Sequence, residues 1–170
     1  GQPPNPEVPG YTPSGLVRKD KKVAYEMTDN DVEDLIQNYV KDIETIKMLG
    51  FDGVELHGAH GYMIDQFFWR DTNVRKDEYG KEEDLRTKFV CEIVSRARKL
   101  VGNDFPIMLR FSQWKQQDYE ARLAPSPTDL ETFLGPISDS GVDVFHASTR
   151  RYWEPEFEGS DLNLAGWTKK

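Results

Sequence analysis

Apolar residues recur at steps of three and four positions after Thr28, the spacing of one face of an α-helix. Thr28 is the predicted N-cap, and Asp31 at the third helical position completes an acidic form of the capping box. The helix is expected to end before Gly50, because glycine suits the left-handed position that follows a helix. Its apolar face comprises Val32, Leu35, Ile36, Tyr39, Val40, Ile43, Ile46 and Leu49.

Two further helices follow the same pattern. The second is predicted over Glu82–Val101 and is followed by Gly102. The third has Ser126 as its N-cap and Pro127 in the first helical position, where proline is favoured, and it ends before Gly141.

An apolar run of strand length follows each helix. The three predicted strands are Phe51–Leu56, 104–111 and Val142–Ser148, whereas the polar segment 113–123 is predicted as a loop and 149–170 shows little periodicity. A helix followed by a buried strand, three times over, predicts an α/β fold with a parallel sheet. Strands this apolar are typical of a parallel sheet that is covered on both faces.

Two architectures fit this order, an open doubly wound sheet and a stretch of a (β/α)₈ barrel. The long segments that carry His, Tyr, Arg and Ser after the strands favour the barrel, which binds ligands at that end. A whole barrel needs ~250 residues, more than the 170 of this chain. The prediction is therefore a partial barrel over residues 28–170. It is preceded by an irregular, proline-rich loop segment over residues 1–27.

Composition and charge limit the classes of molecule that the chain is expected to bind. The chain has 30 acidic against 22 basic residues and a net charge of -8, which argues against a nucleic-acid partner. Its one cysteine, Cys91, excludes an internal disulfide and fits a reducing compartment, so a cytoplasmic location is expected. No apolar run approaches the ~20 residues of a membrane span. The expected partner is a small-molecule substrate.

Two imidazoles and a phenol lie within six residues after the first predicted strand, in the sequence His57-Gly-Ala-His60-Gly-Tyr62. We interpret His57 and His60 as a pair of N–H donors that converge on one ligand oxygen. A metal site is the weaker interpretation, because Asp65 is the only candidate for a third ligand. Tyr62 is either a proton donor or a packed aromatic residue, and the spacing does not decide between them.

Other polar residues have less specific interpretations. Arg110 ends the second strand and either binds an anionic group or pairs with a carboxylate of a neighbouring strand. Cys91 and His146 are predicted to be core residues, and Ser148 just beyond His146 could face the pocket. The residues predicted to form a structural loop network are Asn73, Arg75, Asp77 and Arg86.

The stretch 50–89 closely resembles the old yellow enzyme family of FMN-dependent NAD(P)H:flavin oxidoreductases. The resemblance rests on one long ordered motif: Gly50-Phe-Asp-Gly-Val-Glu-Leu-His57-Gly-Ala-His60-Gly-Tyr62, Gln66-Phe67, Asn73-x-Arg75-x-Asp77-x-Tyr79-Gly80, Arg86 and Phe89. The chain departs from the family pattern at Trp69-Arg70, Lys76, Lys81 and Leu85.

The resemblance implies an enzyme with a (β/α)₈ barrel and FMN across its C-terminal mouth. This chain would form the middle of the barrel, from the end of the third strand to the loop after the sixth. NADH or NADPH would reduce FMN, and the flavin would then pass hydride to an activated alkene such as an enone, or reduce a nitro compound. His57 and His60 would bind the substrate oxygen, Tyr62 would donate the proton, and Arg110 would lie beside the N1/C2 edge of the flavin.

Two alternatives from other classes are also considered. One is a non-catalytic half-barrel that self-associates through its open sheet edges, which would make the chain a homo-oligomer. The other is a metal-dependent hydrolase that uses His57 and His60. As a partial barrel, the chain alone is expected to bind FMN weakly or not at all.

Overall fold

A computed structural model describes residues 10–81 and 84–170. The first nine residues of the predicted loop segment, and the predicted start of the second helix at 82–83, lie outside the described residues. The strands are β1 (Tyr11–Thr12), β2 (Leu16–Arg18), β3 (Lys21–Lys22), β4 (Tyr25–Glu26), β5 (Val54–His60), β6 (Ile107–Lys115) and β7 (Val144–Ala147). The helices are α1 (Asp29–Met48), α2 (Met63–Phe68), α3 (Lys88–Val101), α4 (Pro127–Asp139) and α5 (Leu164–Lys169), with a 3₁₀ turn at Asp84–Thr87.

The predicted caps of the long helices are confirmed. Thr28 Oγ1 accepts a hydrogen bond from Asp31 N at 3.2 Å, and Thr28 N donates to the Asp31 carboxylate at 2.8 Å. Ser126 and Asp129 form the same box at the start of α4. These reciprocal bonds satisfy N–H groups that the first turn of a helix leaves unpaired.

The central sheet consists of three parallel strands in the order β5-β6-β7. On one face, Leu56 and Leu109 are buried in the hydrophobic core with apolar residues of the helices. On the other face, His57 and His146 are exposed and Arg110 lies between them in register. A doubly wound sheet would be covered on both faces, so an open face in the described residues favours a segment of a barrel.

The helices cover one side of this sheet. Helix α1 packs against α3, with the rings of Tyr39 and Phe89 edge to face at 6.2 Å. Phe89 also stacks on Phe67 of α2, with ring centroids 3.9 Å apart. None of the described helices combines the length and the apolar character that crossing a bilayer requires.

The predicted bounds of all three strands differ from the structure at both ends. Strand β5 begins at Val54, where pairing with β6 begins, and it continues to His60, so the predicted strand Phe51–Leu56 is displaced. Gly58 lies within the strand at a point where β6 leaves no room for a side chain: a Cβ there would lie 2.9 Å from Leu109 Cδ1. Strand β6 runs into the predicted polar loop, and β7 is shorter than expected.

Other differences from the predictions are local. His146, predicted as a core residue, is exposed and its Nδ1 lies 2.7 Å from Glu55 Oε2. Helices α2 and α5 were not predicted, because six residues are too few to show a helical period. Between residues 10 and 27, β1 pairs with β4 and β2 pairs with β3. The division of the chain at residue 28 stays a prediction.

Candidate active site

The structure brings together the three residues of the predicted donor group. His57 and His60 both lie in β5 rather than in the predicted loop, and their ring centroids are 5.2 Å apart. Tyr62 is the N-cap of α2, and its ring lies 5.3 Å from that of His57. The strand end and the first turn of α2 therefore place two imidazoles and a phenol on one side of the sheet.

The backbone of His60 has an unusual conformation. Its φ of 65° is in the left-handed region, which residues other than glycine seldom adopt. Two hydrogen bonds hold the backbone of His60 in this conformation. Ser112 Oγ in β6 accepts from His60 N at 2.9 Å, and Gln116 N, just after β6, donates to His60 O at 3.1 Å. Such conformations persist where the surroundings enforce them, and they concentrate at functional sites.

The ring of His60 is held on two sides. It stacks on Trp114 with ring centroids 4.4 Å apart, and its Nε2 lies 2.8 Å from Ser148 Oγ. Burial, reinforced by the positive charge of Arg110, lowers the pKa of His60 from 6.5 to about 4. His60 is therefore neutral at pH 7 and can bind a ligand oxygen as a neutral N–H donor.

Arg110 lies next to His57 in the register of the sheet. Its Nη2 donates to Ser148 Oγ at 3.1 Å, and its buried Nε has no hydrogen-bond partner within residues 10–81 and 84–170. In that part of the chain no carboxylate pairs with it, since Glu55 on the same face contacts His146. Of the two predictions for Arg110, an anionic or oxygen-rich ligand fits better than a structural ion pair.

Tyr62 has the exposure that a proton donor needs. Its side chain is 51% exposed. In the described part of the chain, no group hydrogen-bonds to its hydroxyl. The phenolic proton is therefore available to a ligand lying over the open face of the sheet.

The metal interpretation finds no third ligand in the structure. Asp65 is fully buried and its two oxygens contact Lys115 Nζ at 2.6 Å and Gly61 N at 2.7 Å. Among the residues that the structure describes, no three His, Cys, Asp or Glu side chains are grouped so that they could hold a metal ion.

Three residues of the predicted loop network, Asn73, Arg75 and Asp77, make structural contacts. Asn73 Nδ2 donates to the carbonyl oxygens of Phe67 and Tyr79, both at 2.7 Å. Arg75 pairs with Asp77 and Asp29 and donates to Pro13 O, which ties the loop to the segment before α1.

Cys91 is not an activated nucleophile. Burial raises the pKa of its thiol, and its Sγ lies 3.5 Å from Pro136 O. The thiolate that would act as a nucleophile is therefore disfavoured, in keeping with the predicted core role.

Several residues that contact or surround His60 are not predicted as site residues from the sequence, or are predicted to lie in a loop. Ser112, Trp114 and Lys115 lie in β6, at positions where polar residues suggested that the strand had ended. The alternation of side-chain direction along a strand could have identified Ser112. Arg110 and Ser112 are two positions apart, so on a continuous strand they share a face. For Ser148, the sequence prediction that it could face the pocket agrees with its contact to His60.

Comparison with known proteins gives one consistent result. A family model described as the NADH:flavin oxidoreductase / NADH oxidase family matches residues 3–152. A NADH oxidase from Thermoanaerobacter brockii is 38% identical over 127 residues, which cover 75% of this chain and 19% of that protein. A cinnamate reductase from Clostridium sporogenes is 42% identical over 88 residues, which cover 51% of this chain and 13% of that protein.

A solved structure also matches. The old yellow enzyme homologue from Zymomonas mobilis has a TM-score of 0.70 and 24% sequence identity, covering 83% of this chain and 42% of that one. The likeness confirms the predicted fold, part of a (β/α)₈ barrel. The chain spans less than half the length of each of these three proteins.

Proposed function

Because the chain belongs to the NADH:flavin oxidoreductase / NADH oxidase family, we propose that it carries the substrate-binding and proton-donating side of a site that reduces activated alkenes. The family cofactor is FMN, with NADH or NADPH as the reductant. The observation that carries the proposal is the meeting of His57, His60 and Tyr62 at one strand end, beside the open face that holds Arg110.

The residues of the open face fit FMN. Arg110 has a buried Nε–H without a partner in the described residues, which is a donor that lacks an acceptor. The carbonyl-rich pyrimidine edge of a flavin would supply that acceptor. Arg110 would also stabilise negative charge on that edge, because the guanidinium is always protonated. FMN, when bound, supplies the hydride for the β-carbon of the substrate.

His57 and His60 activate the substrate in this proposal. Their ring centroids are 5.2 Å apart, so N–H groups of both can reach one carbonyl or nitro oxygen. Two such donors withdraw electron density from the conjugated alkene and make its β-carbon electrophilic. One well-placed donor can lower the barrier by about 3 kcal/mol.

Tyr62 completes the reaction by protonating the α-carbon. Its exposed phenol lies beside His57 and is not engaged in the described part of the chain. A positioned acid of this kind contributes about 10²–10⁴-fold to a rate. The name of one relative, cinnamate reductase, supports an alkene conjugated to a carbonyl group as the substrate class.

The test uses the Tyr62→Phe variant saturated with added FMN, in rapid-mixing experiments. We expect NAD(P)H to reduce the flavin at the normal rate and an enone to reoxidise it about 10²-fold more slowly. Tyr25→Phe is the control, since Tyr25 is an exposed residue of β4. Unchanged reoxidation of the Tyr62→Phe variant by the enone would refute the role of Tyr62.

Weak binding of FMN by the chain on its own is a related proposal. The face that would hold the flavin is open, with His57 and His146 exposed, so few contacts would surround the ligand. Titration with FMN, followed by the quenching of flavin fluorescence, measures this affinity. Tight, stoichiometric binding would contradict the proposal.

The remaining expectations are also proposals. We propose a small-molecule substrate. We also propose a cytoplasmic location, which the single cysteine supports, and self-association of the chain. Strands β5 and β7 each pair on one side within the described residues, which leaves two edges for a second copy. Sedimentation at several concentrations would distinguish a discrete oligomer from a monomer.

A further inference from the structure

Ser148 joins two residues of the candidate site that come from different strands. It follows β7 directly, it is 7% exposed, and its N–H donates to Phe111 O at 2.9 Å. Its Oγ lies 2.8 Å from Nε2 of His60 in β5 and 3.1 Å from Nη2 of Arg110 in β6. The hydroxyl therefore lies between the imidazole and the guanidinium.

The chemistry of the two neighbours fixes the direction of these bonds. A guanidinium has donors and no acceptor, so Ser148 Oγ accepts the hydrogen bond from Arg110. No other hydrogen bond to this Oγ is found in the part of the chain that the structure describes. A buried hydroxyl hydrogen without an acceptor is costly, and Nε2 of His60 is the acceptor within reach.

We propose that Ser148 sets the tautomer of His60, by donating to Nε2 and so leaving the ring proton on Nδ1. Nδ1–H is then the donor that His60 offers to a ligand. That the ligand is the oxygen of an alkene substrate rests on the proposed function; the tautomer itself does not. Ser148 is thus a positioning residue, since it acts on the substrate only through His60.

Two further observations support the proposal. The ring of His60 is stacked on Trp114 at an interplanar angle of 23°, which holds its plane while Ser148 holds one nitrogen. The lowered pKa of His60, about 4, keeps the ring neutral at pH 7, and a neutral imidazole has one donor and one acceptor nitrogen. The positive charge of Arg110 also polarises the Ser148 hydroxyl and strengthens its donation to Nε2.

The test is ¹⁵N NMR of the histidine side chains in the full chain at pH 7. Three histidines give a simple spectrum, and the His60→Gln variant assigns the signals of His60. We expect Nδ1 to carry the proton with about a tenfold excess over Nε2, the ratio that one net hydrogen bond supports. In Ser148→Ala the excess should disappear, and in Ser148→Thr, which keeps the hydroxyl, it should return.

Ser95→Ala is the matched control. Ser95 lies on an exposed face of α3, and its hydroxyl donates to Cys91 O, so its loss should leave the His60 signals unchanged. A protonated Nε2 of His60 in the unmodified protein would overturn the proposal, and this outcome does not depend on whether Ser148→Ala folds. An unchanged tautomer ratio in folded Ser148→Ala would overturn it as well.

The kinetics of the flavin-loaded protein separate this inference from the proposed function. Ser148→Ala should reduce the rate constant for flavin reoxidation by an enone up to about tenfold. If the NMR result is as expected but no alkene is reduced, the proposed function fails and the role of Ser148 in setting the tautomer stands.

Discussion

The buried ion pair between Asp65 and Lys115 gives the sharpest prediction about stability. Both side chains are fully buried, and Lys115 Nζ lies 2.6 Å from Asp65 Oδ1. Burial raises the pKa of Asp65 and lowers that of Lys115, and the charge of each partner opposes the effect on the other. Each charge therefore offsets part of the cost of burying the other, and this compensation is lost when one partner is removed.

Replacing Lys115 by Met leaves the carboxylate of Asp65 buried without its counter-charge. Breaking a buried pair in this way costs about 3–5 kcal/mol, a large part of the ~5–15 kcal/mol that stabilises a typical domain. With a urea m-value of about 2 kcal/mol/M, the unfolding midpoint should fall by about 2 M. Urea unfolding followed by circular dichroism at pH 7 measures the shift.

Two controls identify the cause. Lys22→Met removes the same charge from the exposed pair with Glu26, whose side chains are 60% and 52% exposed, and should change the stability by less than about 1 kcal/mol. The double variant Asp65→Asn, Lys115→Met removes both charges and keeps an acceptor for Gly61 N, so it should be more stable than Lys115→Met alone. A double variant that is less stable than Lys115→Met would refute the explanation by an uncompensated charge.

Three other perturbations test particular contacts. The pKa of His60 in the folded chain, about 4, is below its ordinary 6.5, so the unfolded chain binds the proton first as the pH falls. The stabilisation that is present above pH 6.5 is therefore lost as the pH falls towards 4. An NMR titration midpoint near 6.5 for His60 in the folded chain would contradict this. Arg75→Lys should cost about 2–3 kcal/mol in urea unfolding, because the lysine cannot replace the paired contacts to Asp77 and to Pro13 O; an unchanged midpoint would contradict the anchoring role. Gly58→Ala should cost about 1–3 kcal/mol, since the new Cβ would lie 2.9 Å from Leu109 Cδ1, and a variant of normal stability would show that β6 can move away.

The long helices were predictable because the signals that specify them are local. Thr28 with Asp31 lies within one turn, and so does Ser126 with Asp129, so their caps could be identified from the sequence alone. The end of β5 was not predictable in this way. Its last residues include Gly58, which usually weakens a strand but here permits the close approach of Leu109.

The candidate site likewise has one part that the sequence predicts and one part that it does not. His57, His60 and Tyr62 are neighbours in the sequence, so their grouping needed only the position of the strand end. The partners of His60 are far away in the chain, with Ser112 52 residues and Ser148 88 residues from it. Their contacts depend on the register of three parallel strands, and no local pattern specifies that register.

The polar end of β6 looked like a loop because its side chains serve the turn in β5 rather than the hydrophobic core. His60 and Gly61 are consecutive residues with φ of 65° and 81°, and the first costs about 1–2 kcal/mol because it has a Cβ. The groups that hold this turn come from the polar end of β6 and the residue after it: Ser112 bonds the nitrogen of His60, Gln116 its oxygen, and Lys115 acts through Asp65 on Gly61. An apolar sequence at these positions would keep the strand and release the turn, and the imidazole of His60 would then no longer be fixed beside His57.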